Sequence, residues 1–337
     1  MKAAVYYGKH DMRIEERAVR KPEADEAVVK VAYCGVCGTD AHIFHGDEGS
    51  VAIAVPAVIG HELSGVIAET GKSVVTLKKG DRVSIDPNLY CGLCYYCRRG
   101  KEHFCSAMRN PEGGFAEYCT VPVKAAIKIP DDMPFIDAAF AEPVACCLHG
   151  MDLTGVRLGD HALIIGQGTI GLIMTQLVKL AGASVISVIE PDESKRAMAK
   201  NYGAGHAFKT AEDYFAFTAS HADLRADKVF ECVGKAETAA MAVNAATKGA
   251  TVMLFGLTPP NAKIEIYPFE IFRKELHITA SFVNPLTQPR AIDLLYTKKV
   301  DVSGLVSERI PLEQLPDALK NPDPKKMKIL VDMGADG

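Results

Sequence analysis

Between Leu148 and Ala280, near-continuous apolar runs (HALIIG, SVISVIE, DKVFECV, ATVMLFG) alternate with stretches of helical spacing such as TIGLIMTQLVKLAG. Apolar runs without polar alternation are buried on both faces, and parallel strands joined by crossover helices are the arrangement that buries them. Gly166, Gly168 and Gly171 form G-x-G-x-x-G where the first strand gives way to a helix, and the next strand ends in Glu190, nineteen residues past the last glycine. A bare Gly-rich turn serves strand–helix packing as readily as a ligand. Strand, spacing and terminal acid together select the dinucleotide reading. Gly166 makes the tight turn, Gly168 lets the backbone approach a pyrophosphate and Gly171 allows close helix-to-strand packing. Thr169 and Ile170 open the helix whose amides face the phosphates. Glu190 accepts from the adenosine ribose hydroxyls and repels a 2′-phosphate, which favours NAD over NADP; Lys195 and Arg196 follow a turn later.

The first 130 residues have a different texture. Short alternating runs (KAAVYY, AVVKVAY, LSGVIAE, DRVSI, AEYCTVPV) are separated by Gly, Pro and Asp, the pattern of a β-rich module. The tail from Ser281 holds a helix around Pro289 to Lys298 and a last strand, KMKILVDM. It is too short to be a domain and is expected to pack back on the N-terminal module. The expectation is therefore an α/β chain of two domains, 1–148 with 281–337 and 149–280. A net charge of −4 over 337 residues favours neither nucleic acid nor a membrane as partner, and no apolar run is long enough to span a bilayer. The N-terminus alternates like a strand rather than reading as a targeting segment, so the expected location is cytoplasmic.

Cysteine placement then narrows the chemistry. Cys91, Cys94, Cys97 and Cys105 follow C-x2-C-x2-C-x7-C on a Gly-rich surface loop, a spacing at which four thiolates converge on one tetrahedral zinc. Two disulfides are the alternative, disfavoured because cysteines three residues apart rarely reach disulfide geometry. A second set is scattered: Cys37 in CGVCGTD, His61 and Glu62 in GHE, Glu142 in AEP. Each alone reads as an ordinary core or surface residue. Together they supply thiolate, imidazole and carboxylate, the donor set of a catalytic zinc with an open position. Thiolate plus one carboxylate neutralises the dication, so either Glu62 or Glu142 is expected to act through water or to exchange with substrate, and the sequence leaves open which. Cys34 makes C-x-x-C with Cys37 but lacks the βαβ setting of a redox pair.

Taken in order, GVCGTD, GHE, the four-cysteine loop, GGFAEY, AEP, GQGTIG and ECVG resemble the zinc-dependent medium-chain dehydrogenase family over essentially the whole chain. The combination of GHE with AEP resembles its polyol (sorbitol-type) and threonine dehydrogenase branch. The resemblance implies a GroES-like β-rich catalytic domain, a Rossmann domain with a doubly wound parallel sheet, two zincs per chain, NAD and homo-oligomers, tetramers or alternatively dimers. By position it implies Cys37, His61, Glu62 and Glu142 around the catalytic zinc, and Thr39 and His42 as a proton relay. It carries Gly166, Gly168, Thr169, Ile170, Gly171, Glu190 and Arg196 to the cofactor. One departure is SAMRNPE between Cys105 and GGFAEY, a few residues fewer than family members carry.

The expected reaction is oxidation of a secondary alcohol, a polyol or related vicinal diol, with hydride passing to NAD. A threonine-type amino alcohol is the alternative substrate, although no carboxylate-binding arginine is identifiable. A zinc-free reductase of the same superfamily would not need Cys37, His61 and Glu62. A non-catalytic dinucleotide- or zinc-binding protein of the same fold is the reading from another class.

Overall fold

The computed structural model describes residues 1–47 and 53–334. They fall into two compact units, Met1–Ala145 with Val283–Gly337, and Cys146–Phe282.

The second unit is built on six parallel strands in the spatial order His206–Phe208, Val185–Ile189, His161–Ile165, Lys228–Glu231, Thr251–Leu254, His277–Ala280. The chain starts in the middle at His161–Ile165, steps outward twice, then returns to pair Lys228–Glu231 on the other side of its first strand. That reversal is the switch point at which such sheets open a crevice beyond the strands' carboxyl ends. Leu163, Ile165, Val229 and Val252 are almost wholly buried in the core of this sheet, as their unbroken apolar runs require. The helix Thr169–Leu180 buries every residue from Gly171 to Val178.

In the first unit, Glu26–Val36 is the organising strand. It pairs antiparallel along its length with Glu62–Thr70. Along its other edge its first half pairs with Tyr118–Pro122 and its last residues with Lys328–Asp332. Arg82–Ile85 and Ala126–Lys128 extend the sheet beyond Glu62–Thr70. Val29, Val31, Leu63, Ile67, Val83, Ile85 and Phe115 form the core; full burial of one such side chain contributes roughly 1.5–3 kcal/mol. The hairpin Lys2–Gly8 and Asp11–Glu16 lies in a separate three-stranded sheet with Ala57–Val58.

The tail belongs to this unit, and it is richer than the sequence indicated. Besides the helix Gln288–Tyr296 and the strand Lys328–Asp332 it contains a strand Val306–Pro311 and a helix Leu315–Lys320. The first of these is an edge strand with little sequence signature: only Ile310 is buried, and it ends on a proline that a central strand would not accept.

Candidate functional site

Three neighbouring strands bring the first group of side chains together. Cys37 follows directly on the end of Glu26–Val36, His61 and Glu62 stand at the start of the strand beside it, and Lys328 opens the strand on its other edge. Cys37, His61 and Glu62 each offer a donor atom, and these atoms lie within 4.8 Å of one another. Two glycines make this approach feasible. Gly35 faces Glu62 across the ladder, and a Cβ there would stand 2.1 Å from Glu62 Oε2. Gly60 turns the chain into GHE at φ +95°, with Phe115 and Cys34 filling the space a side chain would need.

Cys37 caps the helix Gly38–Phe44, and Asp40 in its first turn organises the neighbourhood. Asp40 is fully buried; Oδ2 accepts the Cys37 N–H at 2.9 Å. Its Oδ1 has no hydrogen-bond partner, but His61 Nδ1 stands 3.5 Å from it. Burial alone would lower the His61 pKa; the Asp40 carboxylate and Cys37 thiolate outweigh it and hold the ring well above its ordinary value. An imidazole between a cysteine sulfur and a buried carboxylate is a setting that favours a cation. The Asp40–His61 arrangement, with ring Nδ1 toward a carboxylate and Cys37 also beside the ring, matches the way metal-binding histidines are oriented.

Glu142 lies in the first turn of the helix Ala141–Thr154 and is buried. It does not belong to the compact group of Cys37, His61 and Glu62, although its charge reaches Lys328. Thr39 Oγ1 lies 3.7 Å from Cys37 Sγ, and His42, one turn on, has Nδ1 3.1 Å from Asp47 Oδ2. Lys328 was not legible as part of this site. Its ammonium is buried and donates to both Glu62 oxygens, at 2.8 and 2.6 Å, and to the Val36 carbonyl at 3.1 Å. The charge count over Cys37 and the two glutamates therefore omitted a cation: with Lys328 present, two carboxylates no longer leave excess negative charge.

The four-cysteine loop closes on itself. Cys91, Cys94, Cys97 and Cys105 bring their sulfurs within 4.8 Å, all as free thiols. Backbone amides point at them: Cys91 Sγ accepts from Leu93 and Cys94, and Cys105 Sγ from Cys91 and Ala107. Amides of Cys97 and Ser106 hold the Cys94 thiol down at about 5, whereas loss of water and its thiol neighbours push Cys97 up to about 12. Four adjacent sulfurs do not all ionise without a cation among them, and the donor set fits zinc. The short segment after Cys105 closes the lobe with a bridge between Leu89 and Arg109.

In the second unit the glycine loop lies beside the switch point. Gly166 takes φ +88°, a Cβ on Gly168 would meet nothing within 4 Å, and one on Gly171 would stand 1.9 Å from the Gly166 carbonyl. Thr169 and Ile170 open the helix behind it. Glu190 is buried; Oε2 accepts the Gln167 N–H at 2.7 Å and Oε1 the Asp192 N–H at 2.9 Å. Arg196 directs its guanidinium to the Glu190 and Pro191 carbonyls. Across the crevice Glu231 holds the opposing loop, its Oε1 accepting from Val233 N–H, Gly234 N–H and the Thr238 hydroxyl. Val233 packs against the loop at Gly166. Asn284 is fully buried and hydrogen-bonded to Asn88 and Gln288, which makes it a packing residue.

Residues 23–131 match the family profile described as the alcohol dehydrogenase GroES-like domain, and residues 169–297 the one described as zinc-binding dehydrogenase. The chain belongs to the zinc-binding alcohol dehydrogenase family. This dehydrogenase is 35% identical over 313 residues to D-altritol 5-dehydrogenase of Agrobacterium fabrum, covering 90% of this chain and 91% of the relative. A zinc-binding dehydrogenase from Sinorhizobium meliloti 1021, solved with NADP, superposes with a TM-score of 0.91 at 36% identity over 98% of both chains. An alcohol dehydrogenase from Escherichia coli CFT073, complexed with NADH, does so with 0.90 at 29% identity, covering 98% of this chain and 99% of that one. GroES-like and Rossmann folds are thus both present in this dehydrogenase. Among the described residues no helix is long and apolar enough to cross a membrane.

Proposed function

We propose that this dehydrogenase oxidises a polyol or related vicinal diol at a secondary carbinol, giving a ketone and a reduced nicotinamide. The observation that carries the reading is the group of Cys37, His61 and Glu62 at one end of the sheet, with Asp40 orienting the imidazole. These residues, with Glu142, would hold a catalytic zinc, and Cys91, Cys94, Cys97 and Cys105 a structural one. Bound there, zinc lowers the pKa of an alcohol oxygen by many units, as it does that of water.

The remaining work falls to the chain. Thr39 Oγ1, next to the Cys37 sulfur, accepts the alcohol proton while passing its own on, and the His42 ring, whose Nδ1 stands 3.1 Å from Asp47 Oδ2, releases it to solvent. Gly166, Gly168, Thr169, Ile170 and Gly171 cradle the pyrophosphate. Glu190 receives the ribose hydroxyls on a carboxylate that its two backbone donors already fix in place. That carboxylate favours NAD; Arg196, tied to the same turn, borders the position a 2′-phosphate would take. A diol or polyol is preferred because its second hydroxyl gives the carboxylates of the site something to accept from.

A panel of polyols, sugar phosphates and threonine with NAD and NADP, followed through the reduced nicotinamide absorbance, tests this. Turnover is expected with polyols and NAD. Activity confined to threonine would move the assignment to amino alcohols, and no turnover with both zincs bound would favour a binding protein of this fold. A homotetramer or dimer in the cytoplasm completes the proposal, checked by light scattering and by fractionation.

A further inference from the structure

Lys328 is not needed for any step above, yet it is buried against the metal-binding group. Its side chain is 6% exposed and that of Glu62 2%. Three acceptors surround Nζ, the two Glu62 oxygens and the Val36 carbonyl, matching the three protons of an ammonium. Burying such a pair is expensive unless its charges serve something beyond each other. The surroundings show what that is. Glu62, Cys37 and Glu142 all act electrostatically on Lys328, so one ammonium stands among three acidic groups. A dication added to them with no lysine present would meet three negative charges and be over-neutralised.

Resting on the zinc reading above, we infer that Lys328 is a positioning residue that acts through Glu62: it holds that carboxylate in place and cancels one negative charge, so that zinc beside Cys37 and two glutamates keeps its Lewis acidity. Removing the lysine charge then has two effects of opposite kind. The metal is bound more tightly, because a nearby cation is gone. The substrate oxygen is acidified less, because the anions around the metal are no longer balanced.

The test compares wild type, Lys328→Met, Glu62→Gln and the double variant Glu62→Gln/Lys328→Met, all prepared as zinc-loaded full chains. Zinc affinity is read by competition with a chromophoric chelator, and the pH profile of kcat is read with the best alcohol. Lys328→Met should hold the Cys37-dependent zinc at least roughly tenfold more tightly, while the pH profile of kcat moves alkaline by about one unit. The double variant, in which the pair is removed without net change of charge, should return both readings toward wild type. A lysine that only supported the fold would loosen zinc with the rest of the site. Lys328→Met zinc affinity at or below wild type therefore overturns the inference, as does a double variant no closer to wild type than the single one. Should Lys328→Met fail to fold, Glu62→Gln against the double variant still decides: at matched fold, the double variant must bind zinc more tightly. If Cys37→Ser leaves the wild-type zinc content unchanged, the zinc reading itself fails and takes this inference with it.

Discussion

Gly35 shows how much of this site depends on an atom that is missing. Glu62 can lie beside Cys37 only because the residue opposite it has no side chain, and a methyl there would stand 2.1 Å from the carboxylate oxygen. Gly35→Ala is therefore expected to destabilise the protein by roughly 1–3 kcal/mol, the usual range for overpacking. It should also lower zinc content and kcat together; full metal content with normal kcat in Gly35→Ala would show that Glu62 is free to move. Asp86 illustrates a different residue-scale effect. Burial raises its pKa from 3.8 to about 6, only partly offset by the donors of Asn88. A carboxyl with a raised folded-state pKa contributes stability at low pH that is lost as pH rises through about 6. Asp86→Asn, which keeps an acceptor toward Asn88, should stabilise the fold by roughly 2 kcal/mol at pH 8 and by almost nothing near pH 4. Urea midpoints at the two pH values check the sign.

At the scale of elements, the loops beyond the carboxyl ends of the parallel strands, to which we assign the cofactor, are held by buried carboxylates. Glu190 receives the N–H of Gln167 inside the glycine loop, and Glu231 receives two N–H groups and a hydroxyl of the loop across the crevice. Gly256 closes that second loop from behind, where a Cβ would stand 2.1 Å from the Gly234 nitrogen. Hydrogen bonds to a charged acceptor contribute about 1.5–3 kcal/mol each. Glu231→Ala should therefore raise the KM for NAD at least tenfold, with a smaller effect on the KM for alcohol; equal change in both would mean general unfolding rather than a lost loop. Glu190→Ala is expected to weaken NAD and narrow its advantage over NADP. An unchanged coenzyme ratio would remove Glu190 from the ribose. The glycine spacing of this element pair is visible in the sequence because it is local, and the terminal acid because it ends the next apolar run. Glu231 is not, since an acid before Cys232 reads as an ordinary strand end until Val233, Gly234 and Thr238 are seen to converge on it.

For the whole molecule, the four-cysteine lobe is the part we expect to depend most on a bound ion. Its sulfurs are gathered by backbone amides without any hydrophobic core of their own, and Leu93, Tyr95 and Tyr96 are exposed on it. A strong chelator, or Cys97→Ser, should lower the melting temperature by roughly 5 °C or more and make the loop between Tyr90 and Cys105 a preferred proteolysis site. Equal melting curves with and without zinc would mean the lobe is stable by itself.

What the amino-acid order determined unaided was everything with a short period: strand and helix texture, the glycine loop with its terminal acid, and the four-cysteine spacing. The textures and the glycine and cysteine spacings are fixed by residues a few positions apart, where covalent geometry sets the distances; the acid is marked by ending the next apolar run. The donor set of Cys37, His61, Glu62 and Glu142 was legible as chemical types, but the convergence of Cys37, His61 and Glu62 came from strand register, and Glu142 stands outside that group. Lys328 was decided by the tertiary structure alone. It lies 266 residues from Glu62 in the chain, and in KMKILVDM it resembles any solvent-facing lysine. Only the pairing of the last strand with the end of Glu26–Val36 turns it inward, because a buried carboxylate beside Gly35 needs a counter-charge that nothing local supplies.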